Sequence, residues 1–338
     1  MLTSRRQSVL KIIVQEYIDK GAPVASETIS RNHRLGVSPA TIRNDMAYLE
    51  ETGYIARPHI SAGAIPLNKA YRHYVESLVR DIELSSEERR LIGSLFQDVE
   101  MEFEKWAKLA ASFLSHLIRT IAIVTPPKTP KCRFKHLELV KLQEFLVLLV
   151  LVLQQSKLMR QFLPVSKSVT QEELTRLANR LNVIYGGLTI SEILAKGLEF
   201  PPFERQISEV IVSLMTTEDE LEYDEPYFEG LRLMFSQPEF VTSNQLLNLI
   251  ELMEQREWLS AILSQGLAEG EVKIVIGEES QDELLHNLSL VFTRYGIPRK
   301  IGGAIGVIGP TRMDYGRAIS SVRYLSEVLS GLVAEVYR

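Results

Sequence analysis

A single cysteine, Cys132, rules out an intramolecular disulfide framework in this 338-residue chain and fits a reducing compartment. Long apolar runs are missing too. The segment FLVLLVLVL, Phe145 to Leu153, falls far short of the roughly 20 residues that a membrane-spanning helix needs, so it reads as a buried strand. The first residues show no signal-peptide hydrophobic segment, because Arg5 and Arg6 already belong to an amphipathic helical pattern; a cytoplasmic location and no membrane partner are expected. The six histidines form neither HExxH nor a Cys/His ligand spacing. No nucleophile has a visible supporting base, so no enzyme, no catalytic residue, no metal and no cofactor are expected. What remains is a chain that is 45% hydrophobic and long enough for two or three domains.

The informative stretch is LGVSPATIRNDMAYLEETGYIARPHISAGAIP, Leu35 to Pro66. Stepping 100° per residue from Ser38 puts Ile42, Met46 and Leu49 on one apolar stripe. Ala40, Asn44, Ala47 and Glu51 lie opposite, flanked by Thr41, Arg43 and Tyr48. This outer face begins small and hydrogen-bonding, which suits close approach to another molecule. Ser38 fits the N-cap, Pro39 the first helical position and Gly53 the stop. Upstream, Val9, Leu10, Ile13, Val14, Tyr17 and Ile18 recur at helical spacing between a Thr3 cap and Gly21, and a short helix follows around Ser26 to Asn32. The Gly-containing RLGV connector makes a helix-turn-helix whose second member is the Ser38 helix. YIARP then reads as a strand, and HISAGAIP turns the chain back to complete a wing. Charge agrees: residues 1–80 hold 11 Lys and Arg against 7 Asp and Glu, whereas the other 258 residues hold 27 against 36. A locally basic module on an acidic body suits attraction to phosphate at one end only.

The run ATIRNDMAYLEETGY together with PHISAGAIP resembles the winged-helix domain of HrcA-type heat-inducible transcription repressors, and VIGEES and GVIGPTRMDYGRAI are similar to that family's closing motifs. The resemblance implies an α+β chain: an N-terminal winged helix-turn-helix, then a GAF-like α/β domain with an inserted, mainly helical dimerisation region. It implies a repressor of chaperone operons that binds a CIRCE-type inverted repeat in double-stranded operator DNA as a homodimer, loses activity on heat stress and is restored by the GroE chaperonin. The DNA-facing residues expected are Ser38, Ala40, Thr41, Arg43, Asn44 and Tyr48, with Arg57, His59 and Ser61 from the wing. Ile60, Ala64, Leu67, Asn68 and Ala70 stand where the resemblance leads one to expect Thr, Arg, Thr, Asp and Gly, so Ala64 reads as a lost phosphate contact.

The expected boundaries are 1–80 for the winged helix, 81–169 for the first part of the GAF-like domain, 170–267 for the inserted region and 268–338 for the second part. Ser85 with Glu88 and Thr170 with Glu173 make capping-box patterns. HLELVKLQ, FLVLLVLVL and LMRQFLPV read as consecutive strands after a Pro/Lys linker. Four segments invite chemistry. Cys132 and His136 sit in a Lys/Arg-rich context that would lower a thiol pKa. EDELEYDE reads as a solvated or partner-facing acidic loop. GGAIGVIGPTRMD lacks the GxGxxG spacing and reads as a strand needing close backbone approach, with a turn at Gly309-Pro310 where a helix start offers free N–H groups to an anion. Trp258 and its Leu/Met/Phe-rich surroundings fit either a dimer surface or ordinary core. A small-molecule-sensing regulator acting through the GAF-like domain is the alternative to the operator-bound repressor.

Overall fold

The Thr3 hydroxyl accepts from the Arg6 amide and opens α1, Ser4–Lys20, which buries Val9, Leu10, Ile13, Val14 and Ile18 before Gly21 ends it at φ +63°. The structure, a computed structural model, describes residues 2–33, 35–58, 62–78, 83–97, 102–154, 157–220, 225–240, 243–254, 258, 270–298 and 300–337. α2, Ser26–Asn32, and α3, Pro39–Glu51, follow, separated by a turn in which Gly36 takes φ +68°. β1, Ile55–Ala56, pairs antiparallel with β2, Ile65–Pro66, so the YIARP strand shrinks to two residues. α4, Asn68–Leu78, leaves the wing and buries Tyr71, Tyr74 and Val75.

α5, Ser86–Gln97, and α6, Phe103–Ile118, lead into β3, Ile121–Val124. Ser85 and Glu88 exchange the two hydrogen bonds of a capping box. Next come β4, Phe134–Gln143, β5, Leu146–Leu153, and β6, Leu158–Pro164, a three-stranded antiparallel sheet in that order. α7, Gln171–Tyr185, α8, Ile190–Ala195, and α9, Pro202–Glu220, complete this region; Thr170 and Glu173 cap α7 as their spacing predicts. Leu149, Leu151 and Leu153 of β5 pack in one core with Leu174, Leu181, Ile207, Ile211 and Met215. Asn182 fixes α7 to β4, accepting from the Leu137 amide at 2.7 Å and donating to its carbonyl at 3.0 Å.

β7, Tyr227–Glu229, α10, Leu231–Phe235, α11, Ser243–Glu254, β8, Lys273–Ile276, β9, Leu288–Ile297, β10, Ile301–Pro310, and α12, Tyr315–Val336, close the chain. Their strands take β3 into a five-stranded sheet ordered β7-β3-β10-β9-β8. The glycines of β10 serve close approach, as the sequence suggests: a Cβ on Gly303 would lie 2.5 Å from the Tyr295 hydroxyl, and one on Gly306 2.6 Å from the Val291 carbonyl oxygen. The chain forms two compact units, one of Met1–Pro127, Glu225–Ile297 and Gly302–Arg338, the other of Lys128–Asp224 and Pro298–Ile301.

Several sequence readings change. FLVLLVLVL is not buried throughout: β5 alternates, with Leu148, Val150 and Val152 partly exposed. Cys132 is buried, and burial, reinforced by Asp219, pushes its thiol up to about 12, opposite to the lowering its basic neighbours suggest. The acidic run is not simply solvated. α9 continues through Glu220; buried Glu218 pairs with Lys157 at 2.7 Å and Lys128 at 3.5 Å, while Asp219 accepts from the Cys132 amide at 2.7 Å. Residues 221–224 lie outside the described residues. Trp258 is buried and donates to the Leu252 carbonyl at 2.6 Å, which is the core alternative. The turn after Gly309-Pro310 holds no open anion cradle, because Asp314 caps α12 by accepting from the Arg317 amide and Arg312 pairs with Glu239.

Candidate nucleic-acid interface

The geometry of α3 is set by what it buries. Ile42, Met46 and Leu49 face inward as their spacing predicts, and so does Asp45, only 1% exposed. A carboxylate on an apolar stripe needs partners. Asp45 has two: Arg5 Nε and Nη2 at 2.6 and 3.1 Å, and Arg6 Nε at 3.3 Å. The Arg5 hydrogen bonds, with help from Arg6, hold the Asp45 carboxyl below the usual carboxylate range.

The opposite face is open. Ser38, Ala40, Arg43, Asn44 and Ala47 are exposed and Thr41 is half-buried; the Ser38 hydroxyl caps the helix by accepting from the Thr41 amide at 3.3 Å. Asn44 makes no hydrogen bond to any described residue, so its amide is available. The other polar side chains are engaged. Arg43 pairs with Glu27 of α2 and donates to the Ser26 hydroxyl at 3.2 Å. Glu27 is held below the usual range first by its own backbone amide and then by Arg43. Tyr48 lies under Arg6, whose guanidinium carbon is 3.6 Å from the ring centroid. Arg57 donates to Glu50 through Nε at 2.8 Å, which ties the wing to α3 and lowers the Glu50 pKa. Of the expected site residues, Ser38, Ala40, Thr41, Arg43 and Asn44 share one surface; Tyr48 and Arg57 border it through pairs. His59 and Ser61, with Ile60, lie outside the described residues.

Ala64 is not at the wing tip, contrary to the sequence reading. It is 0% exposed, and its amide and carbonyl both bond Val24, at 2.8 and 2.9 Å, so the strand before β2 is fastened to the segment between α1 and α2. Neighbouring Gly63 runs so close to Pro23 that a Cβ would fall 2.5 Å from its backbone. Residue 64 therefore cannot present a side chain to a ligand. Sequence reasoning missed Arg5, Arg6 and Asp45 as a unit; the available signal was an acid on an apolar stripe and two arginines at the start of a helix.

Comparison with known proteins places this geometry. Residues 26–65 match the DeoR-like helix-turn-helix domain, which spans α2, α3 and the wing strands. Residues 104–319 match the HrcA protein C terminal domain. The chain belongs to the HrcA family. A heat-inducible transcription repressor HrcA of Dehalococcoides mccartyi is 43% identical over 100% of this chain and 97% of the relative. The HrcA of Chloroflexus aggregans is 37% identical over 99% of this chain and 94% of its own length. A crystal structure of a hypothetical protein shares the fold, with a TM-score of 0.62 and 23% identity over 99% of this chain and 98% of that one. An α+β fold with an N-terminal helix-turn-helix, the HrcA family and a repressor rather than an enzyme are thus as the sequence indicated. Among the described residues no helix is long and apolar enough to cross a membrane.

Proposed function

We propose that this HrcA-family protein represses chaperone operons by parking a homodimer on a CIRCE-type inverted repeat, and that heat relieves repression as the active fold is lost. The observation that carries this reading is the exposed N-terminal half of α3, where Ser38, Ala40, Thr41, Arg43 and Asn44 form a small, hydrogen-bonding surface opposite a fully buried stripe. Asn44 reads a base edge and Arg43 turns from Glu27 to a base or phosphate; Ser38, Ala40 and Thr41 approach the backbone. Tyr48 and Arg57 support the edges, with His59 and Ser61 as wing contacts.

Dimerisation falls to the second unit. On the outer face of its sheet Val140, Leu148 and Phe162 align across three strands, beside His136, Val152 and Leu158, and Phe162 and Leu158 are 56% and 61% exposed. An apolar sheet face of this kind fits a second copy, and two copies hold both half-sites of an inverted repeat at once. The GroE chaperonin, on this reading, restores the repressor, so chaperone shortage derepresses chaperone genes; cytoplasmic location follows. Footprinting the full chain on the promoter of its own chaperonin operon tests the proposal. Protection of both halves of an inverted repeat, on one face of the duplex, supports it, whereas no protection at concentrations that shift the same DNA non-specifically rejects operator recognition.

A further inference from the structure

Two arginines compete for one carboxylate at the base of α3. Asp45 has 2% of its side chain exposed, yet Arg5 and Arg6 keep 47% and 27% of theirs in contact with solvent. One negative charge faces two positive ones, so the cluster carries a net positive charge whose outer side is open. The hydrogen bonds to Asp45 use Nε and Nη2 of Arg5 and Nε of Arg6, leaving the Arg6 Nη groups and Arg5 Nη1 without a hydrogen bond to any described residue. Arg6 is further fixed by its position over the Tyr48 ring. Tyr48 is four residues from Asn44 and thus its neighbour along the helix, so this preset pair of guanidiniums borders the exposed surface of α3.

We propose that Arg5 and Arg6 are a phosphate clamp, contacting the DNA backbone beside the groove that α3 enters, with Asp45 as the residue that positions them. The inference rests on the DNA-binding reading above and assigns it residues outside the helix-turn-helix. The planar guanidinium fork suits phosphate oxygens, and a guanidinium already held in place loses less freedom on contact. Asp45 touches no DNA. Its two partners do, and they set the height and angle at which α3 sits.

The test uses the full-length protein with two fluorescein-labelled duplexes of equal length, one carrying the chaperonin promoter's inverted repeat and one its scrambled sequence, titrated by anisotropy across a range of KCl concentrations. The R5Q/R6Q variant is expected to weaken both duplexes by a similar factor, roughly tenfold or more, and to reduce the slope of log affinity against log salt by about two units. D45N is expected to weaken binding severalfold although it removes a negative charge from beside the DNA, an effect opposite in sign to simple charge neutralisation. Unchanged slope in R5Q/R6Q with a wild-type melting temperature overturns the clamp and leaves the pair as a tether between α1 and α3. If R5Q/R6Q melts early, D45N decides: weaker binding with a reduced slope upholds the clamp, and equal or tighter binding overturns it. Failure of the wild-type chain to bind either duplex overturns the DNA-binding reading, and the clamp with it; sound wild-type binding with unaffected variants removes the clamp alone.

Discussion

The N-terminal module and the unit of residues 128–224 each bury one side of an element and leave the other uncovered, but the uncovered sides differ in kind. On α3 the open side is small and polar, and its rim is held by ion pairs: Arg43 with Glu27, Arg57 with Glu50, and Arg5 and Arg6 with Asp45. On β5 the open side is Leu148, Val150 and Val152, flanked by Val140, Phe162 and Leu158, with only the Glu138–Val150–Arg160 row introducing charge. A polar surface with preset side chains suits a hydrated, charged partner whose contacts must be directional. An apolar pleated surface suits a partner that removes it from water, where area and shape matter more than direction.

The largest expected effect tests where the first open side ends. Ala64→Arg puts a cation at a 0% exposed position paired with Val24, and is expected to destabilise the module by about 3 kcal/mol or more. DNA affinity should fall on every sequence, read by denaturation and anisotropy together. Tighter binding with a steeper salt slope would return residue 64 to the wing tip and erase the boundary. Next, Phe162→Asp on the apolar side should raise the dimer dissociation constant by about 100-fold, roughly 2.7 kcal/mol, while circular dichroism stays unchanged. A variant that sediments as wild type would show that this face meets something other than a second copy.

Asn44→Ala is a smaller change on the polar side. It should weaken operator binding by about tenfold, near 1.4 kcal/mol, and random-sequence binding hardly at all; equal losses on both duplexes would make the surface positional only. The smallest effect is that of acid on the rim. Because Arg5 holds the Asp45 carboxyl below its ordinary value, the ionised pair stabilises the module above the unfolded-state pKa of about 3.9, and that stability disappears as pH falls through the lower folded value. Hydrogen-exchange protection of the α1 and α3 amides, corrected for the intrinsic exchange rate at each pH, should therefore fall from pH 5 to pH 3, less so in Asp45→Asn. An identical loss of protection in both would exclude Asp45 as the acid-sensitive group.

Local signals were legible in the sequence. Thr3, Ser38 with Pro39, Ser85 with Glu88 and Thr170 with Glu173 mark helix starts because a cap acts within four residues. The β10 glycines announced close packing for the same reason: a missing side chain is visible in one dimension. What stayed hidden depends on partners distant in the chain. The burial of Asp45 needs Arg5 forty residues upstream, that of Ala64 needs Val24, and Glu218 turns from solvated acid to buried anchor only once Lys128 and Lys157 stand beside it. The candidate surface was legible as a helix face. The engagement of Arg43 by Glu27 was not, since that pair crosses the turn between α2 and α3.

Cys132, finally, makes the second unit a clock for its own opening. The chain's sole thiol sits 3% exposed, with Sγ donating to the Met215 carbonyl at 3.5 Å and its pKa pushed up to about 12. A closed molecule presents almost no thiolate to an alkylating reagent. Labelling therefore waits for residues around β4 and α9 to part, and its rate against temperature reports how often that happens without any engineered cysteine. Followed beside operator release in the same heated sample, the modified fraction orders the two events in time: early labelling places the loosening of this unit ahead of loss of DNA, late labelling behind it.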